Sequence, residues 1–175
     1  MALPAELSNV RLGRNATNNG ILRWSTKGDL SLSALNLGIS QGLFHYLLHS
    51  IETTPFYTLL GIKLRALGEG YAELELVASE QHCNPLGVVH GGIYMTLADA
   101  AMGNAIRSLG IKGMTVDCST AFISAVQFGE TLLGKGQILR AGKNMLFARA
   151  QIFGGERLLA DSKATFFSTG RIEFE

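Results

Sequence analysis

The sequence predicts an α+β fold in which one antiparallel sheet wraps around a single long helix. Two segments, 62–66 and 71–76, alternate apolar and polar residues as half-buried strands do. A helix follows from about 91 to 109 and is ended by Gly110. Four strand-like segments come after it in series, at about 114–124, 131–140, 144–153 and 158–168. We therefore predict about six strands around one central helix.

The connections and the helix composition support this arrangement. Short turn-forming stretches at 127–129, 141–144 and 154–156 separate the last four strands and are short enough for antiparallel hairpins. The helix is rich in small residues, which would let a curved sheet approach it closely: Ala98, Ala100, Ala101, Gly103 and Ala105. The pattern predicts one compact domain over 51–175.

Residues 1–50 are predicted to form an N-terminal arm. Roughly the first 30 are polar and rich in Asn and Gly, which is typical of irregular structure. No charge falls from Ser31 to Ile51, but the histidines and amides in that stretch argue against a membrane span. Apolar residues at helical spacing instead predict an amphipathic helix near 42–51, followed by a short helical turn at 55–60. His45 and His49 share one face of this helix without an acidic neighbour, so we expect no metal site.

Composition excludes several classes of protein. The chain has 175 residues, of which 47% are hydrophobic and 17% charged. This composition allows a sizeable core but leaves few charged residues for the surface, which indicates that part of the surface is covered in an oligomer. A net charge of +1 indicates neither a nucleic-acid partner nor a basic membrane face. Cys83 and Cys118 form no CxxC pair, which favours a reducing cytoplasm. Serine-hydrolase, nucleotide-binding and zinc-protease motifs are absent from the sequence, and we expect no cofactor.

Asp99 is the only charged residue between Glu80 and Arg107, and it lies in the middle of the predicted helix. Burying an unpaired carboxylate costs several kcal/mol, and Asp is a weak helix former. A solvent-facing position is the alternative, but a helix enclosed by strands favours a functional acid. Gly91 and Gly92 at the helix start offer backbone N–H groups at the positive end of the helix dipole, suited to polarising a carbonyl. A tight turn explains the glycines equally well.

The spacing of these groups predicts a shared site. Gly91 and Asp99 are eight residues apart, which on a helix corresponds to about 12 Å along the axis. One carbonyl group cannot contact both in one chain. If both serve one reaction, the site lies between two subunits of a symmetric dimer, with further pairing to a tetramer left open.

The motif Asn84-x5-His90-Gly91-Gly92-x4-Leu97-Ala98-Asp99, in this order of strands and helix, resembles the hotdog-fold acyl-CoA thioesterases of the phenylacetate-pathway type. The resemblance covers roughly residues 53 to 170. It implies a hotdog domain over 51–175 that hydrolyses the thioester of an aryl- or medium-chain acyl-CoA to the free acid and coenzyme A. Two alternatives stay open: a non-catalytic acyl-CoA-binding hotdog module and a hotdog dehydratase or hydratase.

The resemblance also implies a role for each residue of the motif. Asp99 is the catalytic carboxylate, either as general base or as nucleophile, and the Gly91 N–H is the oxyanion donor. Asn84 holds the carbonyl or the water from the partner's loop, and His90 shapes that loop. Thr115, at the start of the next strand, orients the water.

Substrate contacts are less determined by the sequence. Beside Gly92, the expected pocket walls are Tyr94, Met95, Met102 and Phe122, although core packing explains the same residues. The coenzyme A phosphates need cations, and Arg140 and Lys143 near strand ends are the candidates, with Arg149 and Arg171 behind them. Each of these four has an alternative role as a solvated surface charge.

Overall fold

The computed structural model describes residues 34–173, so the predicted irregular arm over the first 30 residues lies outside the described part of the chain. A 3-10 turn, Glu80–His82, precedes the longest helix. The helices are α1 (Gln41–Thr53), α2 (Pro55–Leu60) and α3 (Gly91–Arg107). The strands are β1 (Leu35–Asn36), β2 (Lys63–Gly68), β3 (Tyr71–Val77), β4 (Ile111–Phe122), β5 (Thr131–Ala141), β6 (Met145–Gly154) and β7 (Arg157–Arg171).

In the described residues these strands form one seven-stranded sheet in the order β1-β2-β3-β5-β6-β7-β4. The predicted α+β architecture around one long helix is confirmed, and two details differ. The extra strand, β1, pairs parallel to β2 and is only two residues long, which is too short to leave a pattern in the sequence. The other strand pairs are antiparallel.

The predicted hairpin between β4 and β5 is wrong. β4 pairs with β7 at the edge of the sheet, and residues 123–130 carry the chain back to β5. The reason is that β3 and β6 occupy both edges of β5. The turn signal at 127–129 marks a change of chain direction without specifying which strand pairs with which.

α3 packs directly against the backbone of β5. A Cβ built on Gly136 would lie 2.4 Å from the carbonyl carbon and oxygen of Ala101, and one on Gly134 would lie 2.9 Å from Cγ of Leu97. No side chain fits at Gly136 without moving the helix. The close approach that the small residues of the helix predicted is therefore present, and it holds α3 in one fixed position on the sheet.

Ser40 caps the N-terminus of α1, and its Oγ accepts the Leu43 N–H at 3.4 Å. Its apolar face joins the same core as the sheet, through Leu43, Phe44, Leu47 and Ile51. The predicted helix near 42–51 is thus confirmed, and His45 and His49 are exposed on its other side. The division of the chain at residue 50 stays a prediction.

α3 ends at Arg107, two residues earlier than predicted, and Gly110 follows with a φ of 70°. That left-handed conformation suits glycine and turns the chain into β4. Within residues 34–173, no helix combines the length and apolar character needed to cross a bilayer.

Candidate functional site

The first turn of α3 presents one unused backbone donor. The Nδ1 atom of His90, the residue that caps the helix, accepts the Gly92 N–H at 2.9 Å. The Ile93 N–H donates to the His90 carbonyl oxygen. The Gly91 N–H donates to no residue in the described range 34–173. Of the predicted glycine pair, Gly91 therefore offers a donor to a ligand, whereas the N–H of Gly92 is used in the cap.

This donor lies in a pocket with a volume of about 290 Å³. The pocket is formed by the loop before α3, the first turn of α3 and the end of β4 with the residues after it. Its lining residues are Asn84, Val88, Val89, Gly91, Tyr94, Phe122, Ile123, Ser124 and Ala125. Apart from Asn84 and Ser124, these side chains are apolar or aromatic, or are glycine, which is typical of a pocket for an organic ligand.

Asn84 supplies a second donor to the same pocket. Its Oδ1 accepts the Leu86 N–H at 2.9 Å and the Val88 N–H at 3.4 Å, which folds the loop into a tight turn. Because Oδ1 accepts these bonds, Nδ2 is the remaining polar group of the side chain, and none of the described residues accepts a hydrogen bond from it. The structure thus brings Asn84 and Gly91, each with an unused donor, together in the lining of one cavity.

Phe122 and Tyr94 form the aromatic part of the pocket. The ring of Phe122 lies over Gly91, since a Cβ built there would be 3.2 Å from its Cε1 atom. It meets the Tyr94 ring edge-on, with the centroids 6.2 Å apart. Tyr94 Oη accepts the Val126 N–H at 3.2 Å, and burial raises the pKa of this phenol. Glycine at position 91 therefore leaves the backbone N–H open while an aromatic ring covers the Cα.

Asp99 lies farther along α3 and is half-buried. Thr115 Oγ1, on β4, donates to Asp99 Oδ1 at 2.9 Å. Cys118, also on β4, is close enough that the Asp99 charge adds to burial in raising the pKa of its thiol. The structure therefore places the predicted acid beside the predicted hydroxyl residue, with Oδ1 oriented by a hydrogen bond.

Within one chain, these residues make two separate groups. Asn84, His90, Gly91 and Phe122 cluster at the first turn of α3, and the pocket there is not lined by Asp99. Both Gly91 and Asp99 belong to the one helix α3, and eight residues of helix keep them about 12 Å apart along its axis. One chain presents a hydrogen-bond donor group at one place and an acid–hydroxyl pair at another.

The remaining residues predicted to contact the substrate differ in exposure and position. Met102 is 0% exposed in the core, which is the alternative that the sequence left open for it, whereas Met95 is exposed on α3. Arg140 and Lys143 are exposed, the first near the end of β5 and the second in the turn after it. Arg149 donates to Asp161 at 3.0 Å on a neighbouring strand.

Sequence reasoning missed one polar contact between α2 and α3. Tyr57, on α2, lies against Asn104 of α3, whose Nδ2 is 3.4 Å from the Tyr57 phenol oxygen. A polar Asn inside an otherwise apolar helix face was the available signal, but the sequence did not reveal its partner 47 residues away. Among residues 34–173 no group of three His, Cys, Asp or Glu side chains could hold a metal ion.

Comparison with known proteins agrees with this fold. The sequence model described as "Thioesterase superfamily" matches residues 86–160. The structure of conserved protein PA5202 from Pseudomonas aeruginosa superposes with a TM-score of 0.65 at 30% identity, over 68% of this chain and 97% of that chain. The Escherichia coli PaaI structure, from the phenylacetic acid degradation operon, superposes with a TM-score of 0.73 at 23% identity, over 78% of this chain and 100% of that chain.

A curated mouse protein, acyl-coenzyme A thioesterase 13, is 34% identical over 80 residues, which is 45% of this chain and 57% of that protein. This chain thus spans less than two thirds of that relative's length. The hotdog architecture and these matches define a class of enzyme that hydrolyses thioesters. The chain belongs to the thioesterase superfamily.

Proposed function

We propose that this protein hydrolyses acyl-CoA thioesters at a site shared between two subunits. One observation carries the proposal: two unused donors, from Asn84 in the preceding loop and from Gly91, lie at the start of α3, and an oriented carboxylate, Asp99, lies about 12 Å further along the helix. Thioester hydrolysis needs both an oxyanion donor and a base or nucleophile. Relatives named as acyl-coenzyme A thioesterases support coenzyme A as the thiol part of the substrate.

The exposed edge of the sheet supports a dimer. β4 is twelve residues long and pairs with β7 on one side, while its other side has no partner strand among the described residues. Met114 and Val116 on it are 65% and 61% exposed. A long apolar edge strand tends to pair with another strand. We propose that two copies pair antiparallel along β4, which places Asp99 of one copy beside the partner subunit's Gly91.

The chemistry follows from the groups at this shared site. The Gly91 N–H and Asn84 Nδ2 donate to the thioester carbonyl oxygen, where negative charge develops. Asp99 either accepts a proton from the attacking water or attacks the carbonyl carbon itself. Thr115 keeps the carboxylate in one orientation through its hydrogen bond. The thiolate of coenzyme A leaves readily, so the reaction as proposed requires no cofactor.

The spacing of Asp99 and Thr115 has a parallel in a hotdog thioesterase of Streptococcus pneumoniae. That protein has been solved with coenzyme A, at 25% identity to this chain and a TM-score of 0.62. Two further structures of it carry alanine in place of an aspartate and in place of a threonine sixteen residues later. Asp99 and Thr115 are also sixteen residues apart. This coincidence supports the pairing of the two residues in one reaction.

The substrate we propose is an aryl- or medium-chain acyl-CoA in the cytoplasm. Tyr94, Phe122 and Ile123 give the pocket an apolar lining that would accept such a group. We propose Arg140 and Lys143 as contacts for the phosphates, brought to the site by the partner subunit. Both cysteines are free thiols, which suits a reducing compartment.

The test is release of free thiol from a panel of acyl-CoA esters, measured together with complementation between variants. Asp99→Ala and Asn84→Ala homodimers should each be nearly inactive. Mixing them under conditions of subunit exchange should restore part of the activity, because hybrid dimers contain one intact site. Binding of acyl-CoA without thiol release would instead support the non-catalytic module, and full activity in a monomer would refute the shared site.

A further inference from the structure

Met95 lies midway between the two groups of α3 that the shared site needs. It follows Gly91 by four residues and precedes Asp99 by four, so each of them is about 6 Å from it along the helix axis. Residues four apart differ by only about 40° around a helix, so the three residues share one stripe of α3. Gly91 and Asp99 are therefore related to Met95 by equal and opposite steps along this stripe.

The stripe is the part of α3 that the rest of the chain leaves uncovered. Met95 is 40% exposed and is the most exposed residue of the helix, in which most of the other residues are buried. Gly103 lies two turns further along the stripe, and a Cβ added there would meet nothing within 4 Å in the described part of the chain. A glycine inside a helix costs about 1 kcal/mol relative to alanine. An exposed Met95 and an open Gly103 both fit a stripe that a second helix covers.

β4 follows this stripe from one end to the other. The ring of Phe122 lies over Gly91, and Thr115 donates to Asp99. The strand therefore runs antiparallel to the helix beside it. Two copies that pair antiparallel along β4, as proposed above, bring their α3 helices together antiparallel as well.

Two-fold symmetry determines what faces Met95 in such a dimer. If Asp99 lies beside the partner subunit's Gly91, then Gly91 lies beside the partner subunit's Asp99. The vector that joins the two helices at residue 95 is the mean of the vectors that join them at these two ends. The helices are therefore no farther apart at Met95 than they are where the two halves of the site meet.

We infer that Met95 packs against Met95 of the partner subunit on the two-fold axis and sets the spacing of the two α3 helices. The inference rests on the proposed shared site. Packed helices lie about 8–10 Å apart, depending on the side chains at the contact, and Met95 is the longest side chain of the stripe. Its volume therefore sets the gap in which Asp99 and the partner subunit's Gly91 hold the thioester carbonyl. This positioning role differs from that of a pocket wall, since other residues line the pocket at the first turn of α3.

Cross-linking tests this geometry independently of activity. Met95→Cys, first shown to sediment as a dimer when reduced, should form a disulfide-linked dimer on copper-catalysed oxidation. The facing Cα atoms of helices about 8–10 Å apart lie within the span of a disulfide. The wild type, with the free thiols of Cys83 and Cys118, gives the background. Gly103→Cys is the matched control on the same stripe, because its two copies would lie about 24 Å apart along the axis and cannot be joined.

A series of side-chain sizes at position 95 tests the spacing role. With phenylacetyl-CoA and octanoyl-CoA as probes, Met95→Trp should lower kcat about tenfold or more while KM stays the same. The reason is that each dimer receives the added volume twice, and small displacements of reacting groups cost rate steeply. Met95→Leu approximately keeps the volume and should restore most of the rate. A rise in KM alone would assign Met95 to the acyl group and overturn the spacing role.

The outcomes separate this inference from the proposed function. If dimeric Met95→Cys gives no more covalent dimer than Gly103→Cys, the contact on the two-fold axis is overturned even if Asp99→Asn is inactive. Efficient cross-linking together with wild-type turnover by Asp99→Asn would refute the proposed chemistry and keep the contact between the helices. A wild-type protein that sediments as a monomer would overturn both.

Discussion

Replacing Asp99 by Asn separates the chemistry of this carboxylate from its place in the fold. The side chain keeps its shape, and its amide oxygen can still accept the Thr115 Oγ1 hydrogen bond that is 2.9 Å long in the structure. What is lost is the ability to take a proton or to attack carbon. We therefore expect kcat to fall by about 10²–10⁴-fold if Asp99 is a general base, and further if it is the nucleophile.

The effect of Asp99→Asn on stability should be small. A hydrogen bond to a charged acceptor contributes about 1 kcal/mol more than one to a neutral acceptor. Against this, Asp99 is half-buried on an apolar helix, so removing its charge relieves a desolvation cost of similar size. The two effects oppose one another. We expect a melting temperature that holds or rises, within a few degrees of the wild type.

The assay pairs thiol release from phenylacetyl-CoA with thermal melting in the presence and absence of coenzyme A. The variant and the wild type should both melt at a higher temperature with coenzyme A, because the ligand binds the folded state. Near-wild-type hydrolysis would show that Asp99 is only a solvated helix residue. Loss of both hydrolysis and the coenzyme A shift would point to a damaged site and would refute the separation of binding from chemistry.

Three further predictions concern packing, assembly and pH. Gly136→Ala should lower the free energy of unfolding, measured in urea, by about 3 kcal/mol or more, because the new Cβ would lie 2.4 Å from the Ala101 carbonyl. A loss below about 1 kcal/mol would contradict the close packing of α3 on β5. Val116→Lys should yield a folded monomer without thioesterase activity in sedimentation and thiol-release assays, and an active dimer would show that β4 is not the interface. Arg149, through its hydrogen bond, lowers the pKa of Asp161. The stabilisation is therefore present above the unfolded pKa of about 4 and is lost as pH falls. The stability difference between wild type and Arg149→Met should narrow from pH 6 to pH 3, and a constant difference would exclude this linkage.

Local patterns in the sequence predict most of the helices and strands of the fold. The alternation around β2 and β3 and the run of small residues in α3 identify these elements because each reflects a periodicity of the backbone itself. The apolar spacing from Leu43 to Ile51 identified α1 in the same way. The axial distance between Gly91 and Asp99 can also be calculated from the sequence, because each residue of a helix adds a fixed rise.

Local patterns in the sequence do not predict which distant strands pair with one another. The turn residues at 127–129 indicated that the chain reverses, but the competition of β3, β6 and β4 for the edges of β5 is decided by the whole sheet. The same holds for Met102, whose enclosure by the sheet cannot be distinguished from a pocket wall when only the helix sequence is known.

The sequence by itself determined the class of fold, the lone acid in an apolar helix and the separation of about 12 Å between Gly91 and Asp99 along that helix. Tertiary structure decided which donors are free and which groups face the acid. The N–H of Gly92 is used by His90 whereas that of Gly91 is not, and Tyr57 of α2 contacts α3 through Asn104. The physical reason is that hydrogen bonds are short and directional. Whether a donor is free therefore depends on the three-dimensional positions of the atoms around it. Residue spacing along the chain does not give these positions.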